Sequence, residues 1–292
     1  MKKAAIATLL GAAVLLSACG QQGKEASAPK EARKEEASAP KEAPKEEAGH
    51  GKHGDGASEA PKSAEVVTSF KLTPEKPQAR NDTPLTIQIT DKNNKPVENF
   101  DITHEKKLHL IVVSKDLSFF NHIHPDYKGG GRFDITTQFP GGGDYKLIAD
   151  FVPTGQGAVT QTSWISVQGN APAAAAIEPE STLVKTVDGK EVTLAIDHLI
   201  AGMDANLTFT IRDAASKQPV TNLQPYLGAV GHVVILSDDA EQYLHVHPME
   251  EKVSGPDAKF MTKFPKSGIY KLWGQFQHEG KVFTVPFVVK VP

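Results

Sequence analysis

The 292 residues include a single cysteine, Cys19, so no internal disulfide can form and no thiolate metal site can exist downstream of it. No stretch holds a 3.6-residue apolar period over two or more turns, which argues against helical-bundle and α/β architectures. There is no G-x-G-x-x-G opening a helix and no Walker pattern. The triple glycines at 129–131 and 141–143 read as turns between strands rather than phosphate cradles. No serine or cysteine sits in a recognisable nucleophile elbow, so no enzyme is expected. With 32 basic against 35 acidic residues and a net charge of -3, the chain has no concentrated positive surface for a phosphate backbone, and nucleic acid is not an expected partner.

What the chain does have is a seventeen-residue pattern that occurs twice. Residues 109–125 read HLIVVSKDLSFFNHIHP and residues 232–248 read HVVILSDDAEQYLHVHP. Each starts with a histidine, crosses an aliphatic run and a polar break, and returns through an aromatic stretch to H-x-H-P. As strands, each copy is a hairpin around a four-residue loop. Pairing Ser114 with Phe119 sets His109 opposite His124 and Ile111 opposite His122, and pairing Ser237 with Gln242 sets His232 opposite His247. His122 and His124 are two apart and share a face, which His109 joins across the ladder. The second copy groups His232, His245 and His247 in the same way. A one-residue slip would separate either trio.

The likeness extends beyond the hairpins. LTIQITDKNNKPV matches LTFTIRDAASKQPV, and FPGGGDYKLIADF matches FPKSGIYKLWGQF, at offsets of 122 to 125 residues. Short alternating strands separated by Gly- and Pro-rich breaks, about seven per hundred residues, predict an all-β fold. The expectation is two tandem, duplicated, immunoglobulin-like or cupredoxin-like antiparallel β-sandwiches, at residues 66–169 and 181–292, joined by a connector at 170–180. A short helix through the connector's alanines is compatible with this.

Upstream, residues 1–19 read as a secretory signal, and Leu16-Ser17-Ala18-Cys19 resembles the lipobox of bacterial lipoproteins. That resemblance implies lipidation at Cys19, a membrane partner and an extracytoplasmic, anchored location. Residues 20–65, rich in Lys, Glu, Ala and Pro, read as a disordered tether. Within it, His50 and His53 are read as linker residues.

Metal chemistry is the leading expectation, because imidazole trios suit copper and zinc. Copper comes first and zinc second, in a role of storage, delivery or resistance that involves a metal donor or acceptor protein. Asp126, Met249 and His278 are possible extra ligands. A carboxylate at Asp126 or Asp150 would incline the first repeat to Cu(II) or zinc, and a thioether at Met249 would incline the second to Cu(I). His104 and His198 have no counterparts in the other copy and are read as incidental. The alternative is a structural or adhesive interaction module without metal. The duplicated histidine, aliphatic run and H-x-H-P, followed by F-P-x-x-G-x-Y-K-L, resembles the secreted bacterial domains of the YtkA and FixH families. That resemblance implies a copper-associated role outside the cytoplasm. The lack of a downstream cysteine departs from a Cys-His-His-Met centre, so a blue-copper electron carrier is not expected.

Overall fold

Alternation of apolar and polar residues decides the inner face of most strands. In β2 (Thr83–Asp91), Leu85, Ile87 and Ile89 are buried while the residues between them are not. A computed structural model describes residues 65–246 and 248–292. The first repeat also holds β1 (Val66–Leu72), β3 (Leu108–Ser114), β4 (Phe120–Ile123), β5 (Asp126–Gly129), β6 (Arg132–Thr137), β7 (Gly143–Phe151) and β8 (Val159–Val167). These form two antiparallel sheets, ordered β1-β2-β6-β5 and β4-β3-β7-β8, the strand order of an immunoglobulin-like sandwich.

The second repeat comprises β9 (Val184–Val187), β10 (Lys190–Asp197), β11 (Asp204–Asp213), β12 (His232–Ser237), β13 (Tyr243–Val246), β14 (Asp257–Lys263), β15 (Gly268–His278) and β16 (Lys281–Val291). Its sheets run β14-β11-β10-β9 and β13-β12-β15-β16. The fold is thus all-β and duplicated, with no helix among the described residues. Each repeat has eight strands rather than about seven. The extra strand is β5, paired on β6, in the first repeat and β9 in the second, a short strand closed onto β10 by an Asp188-Gly189 turn in which both residues have positive φ. The connector is not helical: Ala175 N–H donates to Asp116 Oδ2 at 3.1 Å and Glu180 N–H to Val288 O at 3.0 Å, so its backbone bonds point outward to the repeats.

Strands β3 and β12 do not alternate; every residue of β12, and all of β3 except Ser114, is buried. One face of each strand packs into its own sandwich, through Leu110 and Val112 or Val233 and Ile235. The other face packs against the opposite sandwich. Ile111, Val113, Leu117 and Ile148 from the first repeat meet Val234, Leu236, Ala240 and Trp273 from the second in one apolar layer. These eight residues form four matched pairs, at offsets of 123 or 125, so the layer has an approximate two-fold relation. Phe120 stacks on Trp273 at 4.7 Å between ring centroids. At one end of the layer, Lys146 Nζ donates to Ala240 O at 2.7 Å and the matched Lys271 Nζ donates to Leu117 O at 2.7 Å. The histidines stand at the other end.

Candidate metal centre

The period of two places the histidines on this shared face. Along β3 it presents His109, Ile111 and Val113; along β7, Asp150, Ile148 and Lys146 lie beside them. The hairpin register is the expected one: Ser114 N–H donates to Phe119 O at 3.2 Å and Ile111 pairs with His122. In the second repeat, Ser237 N–H donates to Gln242 O at 3.0 Å and Val234 pairs with His245.

Three ring nitrogens meet in the first repeat. His109 Nδ1 lies 3.1 Å from His122 Nε2, and His124 Nε2 lies 3.2 Å from each of them. The outer nitrogens establish what faces inward. His109 Nε2 is 2.9 Å from the carbonyl oxygen of Thr103, and His122 Nδ1 is 2.8 Å from Gln275 Oε1; both partners only accept. Each neutral ring therefore carries its proton on the outer nitrogen and turns a lone pair inward. The 3.1 Å approach is between two lone pairs, which repel unless a cation sits at their focus. Tetrahedral coordination with metal–nitrogen bonds of about 2.0 Å gives nitrogen–nitrogen edges of about 3.3 Å, so the spacing suits a metal ion. A proton is a poor substitute at neutral pH. Burial pushes His109 down to about 4 and His124 to about 3, and holds His122 well below its ordinary value, in each case ahead of repulsion from the neighbouring rings.

His232 and His245 come together with His104 of the first repeat, with a ligand nitrogen from each within 4.8 Å of the others. His104, read as incidental in the sequence, thus stands among histidines of the second repeat. It sits with Glu105 at positive φ in a two-residue turn bridged by Thr103 and Lys106, which matches the turn of Leu227 and Gly228 bridged by Tyr226 and Ala229. The two turns meet, with Glu105 Cγ 3.5 Å from where a Cβ on Gly228 would lie. Because Leu227 stands at the position matching His104, the repeat comparison gives no hint of a ligand there. His247 lies outside the described residues, as do Cys19, His50 and His53.

The proposed extra ligands sit elsewhere. After Pro125 the chain crosses to the other sheet, where Asp126 pairs with Asp134 and its exposed carboxylate bonds Lys128. Met249 follows the same course after Pro248: its N–H donates to Lys259 O and its side chain is exposed. His278 lies three residues along β15 from Gln275, about 10 Å away, and bonds Asn222 Oδ1 at 2.9 Å. None of the three joins either trio. Asp150, which pairs with His109 in register, turns to the second repeat and accepts from His245 Nδ1 at 2.8 Å. Gln275 holds the matched position opposite His232. Its role went unseen in the sequence, although Asp150 and Gln275 are matched polar residues near the ends of YKLIADF and YKLWGQF, after runs that are otherwise largely apolar.

A family model described as "Domain of unknown function (DUF8832)" matches residues 64–169 and again residues 185–292. The chain belongs to the DUF8832 family. No curated protein matches this DUF8832 protein at a significant level. Among solved structures, it is similar to the Escherichia coli adhesin FdeC (17% identity, 80% of this chain and 66% of that one, TM-score 0.28). It is also similar to the Yersinia pseudotuberculosis adhesin InvE (12% identity, 77% and 60%, TM-score 0.27). A two-domain fibronectin type III segment of chicken tenascin is a third (11% identity, 76% and 97%, TM-score 0.22). The chain spans less than two thirds of the length of the two adhesins, and TM-scores this low do not bear on function. The resemblance to the YtkA and FixH families gains nothing from these comparisons.

Proposed function

We propose that this protein binds a transition-metal ion at His109, His122 and His124, copper before zinc, for storage, delivery or resistance outside the cytoplasm. The observation that carries the reading is the meeting of three imidazole nitrogens within 3.2 Å, two of them with lone pairs turned inward by Thr103 and Gln275. Outer-nitrogen partners of this kind fix tautomer and ring orientation at metal-bound histidines. Three nitrogen donors without a thiolate suit copper, which stands highest in the divalent affinity order, and zinc next. His124, the least buried of the three, offers the side from which an ion would enter. The reading is binding rather than turnover because the three nitrogens converge on one point and the nearby Asp150 carboxylate is engaged by His245. Lipidation at Cys19 would hold the site near a membrane, within reach of a protein that donates or accepts the metal.

The test is metal titration against a competing chelator. Replacing His109, His122 and His124 by glutamine should abolish a tight site; unchanged metal content would overturn the reading. An adhesive or structural module is the second reading, favoured by the immunoglobulin-like strand order, although that order hosts many functions. It predicts partner binding that survives loss of every histidine in the two trios.

A further inference from the structure

We infer that His104, His232 and His245 form a second transition-metal site, of the imidazole-binding copper or zinc class, that is complete only while the two sandwiches are docked. The inference extends the metal-binding reading to a different set of residues and has its own support.

The first support is composition. His104 comes from a turn of the first repeat, whereas His232 and His245 lie on β12 and β13 of the second, and all three offer nitrogens within 4.8 Å. The ring centroids of His104 and His232 are 4.6 Å apart and nearly perpendicular, and those of His104 and His245 are 5.6 Å apart. The second support is His232 itself. It is 1% exposed, and its ring nitrogens have no well-formed hydrogen bond, the backbone of Leu227 being the polar group within reach of one of them. A buried nitrogen without a good partner is destabilising, and a bound ion is one of the few arrangements that relieves it in a well-packed protein. The third is Asp150. By accepting from His245 Nδ1 it places the proton of the neutral ring there and leaves Nε2 as the lone-pair nitrogen, the carboxylate–histidine arrangement seen behind metal ligands.

The partners behind the ligands are exchanged between the sandwiches. Gln275 of the second repeat orients His122 in the first trio, and Asp150 of the first repeat orients His245 in the second. The trios are also neighbours, with His109 and His245 centroids 5.2 Å apart. An ion at the second trio would therefore be ligated from both repeats and would tie them together.

The experiment uses the full chain and Zn(II) alone as probe, under a competing chelator strong enough to suppress weak binding by the tether. His104→Leu is the informative variant, because leucine already occupies the matched turn position at Leu227 with the same positive φ. His232→Gln is the second variant, should the turn fail to tolerate the change. The wild type should take two equivalents, and His104→Leu, His232→Gln and His122→Gln one each. The double variant His104→Leu/His122→Gln should take none. Zinc should also raise the unfolding temperature less in His104→Leu than in the wild type. One equivalent in the wild type that is lost with His122 and kept without His104 would overturn this inference and leave the first site standing. One equivalent lost with His104 and kept without His122 would do the reverse, and no zinc at all would overturn both.

Discussion

The side-chain oxygen of Gln275, on the second sandwich, lies 2.8 Å from Nδ1 of His122, on the first. This contact makes the lone pair at His122 Nε2 depend on the docking of the two repeats. Replacing Gln275 by leucine removes the acceptor and frees the ring to turn. Zinc affinity at the first trio should fall 10- to 100-fold while the circular-dichroism spectrum is kept, and Gln275→Glu should restore most of it. An unchanged affinity in Gln275→Leu would show that His122 is oriented by something else.

Protons should compete with folding in the metal-free protein. His109 titrates near 4 when folded against an ordinary value of 6.5, and His122, His124 and His232 are also lowered, chiefly by burial. Between those values the unfolded chain binds more protons, so stability is complete above about pH 6.5 and is lost as pH falls toward 4. At about 1.4 kcal/mol per pH unit, His109 alone removes on the order of 3 kcal/mol by pH 4. Unfolding temperature against pH is the measurement. His109→Gln should flatten the curve; a wild-type curve that is level down to pH 4 would contradict the account.

Docking rests on the apolar layer, so a charge placed in it should separate the sandwiches. Val234 is fully buried and faces that layer from β12. Val234→Asp would bury an unpaired carboxylate, which the protein can relieve by opening the interface. Small-angle scattering should show a larger radius of gyration with strand content preserved, and the zinc equivalent that depends on His104 should disappear. A variant that remains compact and binds both ions would disprove the link between docking and the composite site.

The two trios should differ in the copper state they prefer, in the opposite sense to that expected from Asp126 and Met249. Asp150 puts its carboxylate behind the second trio, through His245, whereas the first trio has the neutral amide of Gln275 behind His122. Negative charge favours the more highly charged ion. Cu(I) should thus bind more tightly in His104→Leu, where only the first trio is intact, than in His122→Gln. Cu(II) should show the reverse order, and Asp150→Asn should narrow the gap. Equal affinities for both states would rule out the charge argument.

Much of this was legible in the residues. The hairpin register followed from matched four-residue loops, and it placed His109, His122 and His124 on one face as found. The duplication was readable from LTIQIT and YKLIADF and their partners. The unbroken apolar runs after His109 and His232 carried a further message, burial on both faces, that alternation elsewhere obscured. Docking of one sheet on another is long-range, and no local pattern encodes it. His104 was therefore invisible as a candidate ligand: its place comes from the turn that sets it across the interface, and its counterpart is Leu227. Asp126 and Met249 lie away from the trios because Pro125 and Pro248 carry the chain to the other sheet, whereas His278 stays in the sheet of the second hairpin but stands about 10 Å along β15 from Gln275.

The apolar layer also bears on how the chain is made. The first repeat is synthesised and, if exported, delivered before the second, and for that interval Ile111, Val113, Leu117 and Ile148 lie uncovered beside the Lys146 ammonium. Because the layer has an approximate two-fold relation, the missing surface resembles the one already present, and a second nascent copy is the nearest substitute. A halted or truncated product would pair with itself. The length of the connector at 170–180 therefore matters for the speed with which the proper half arrives, and not only for where it rests.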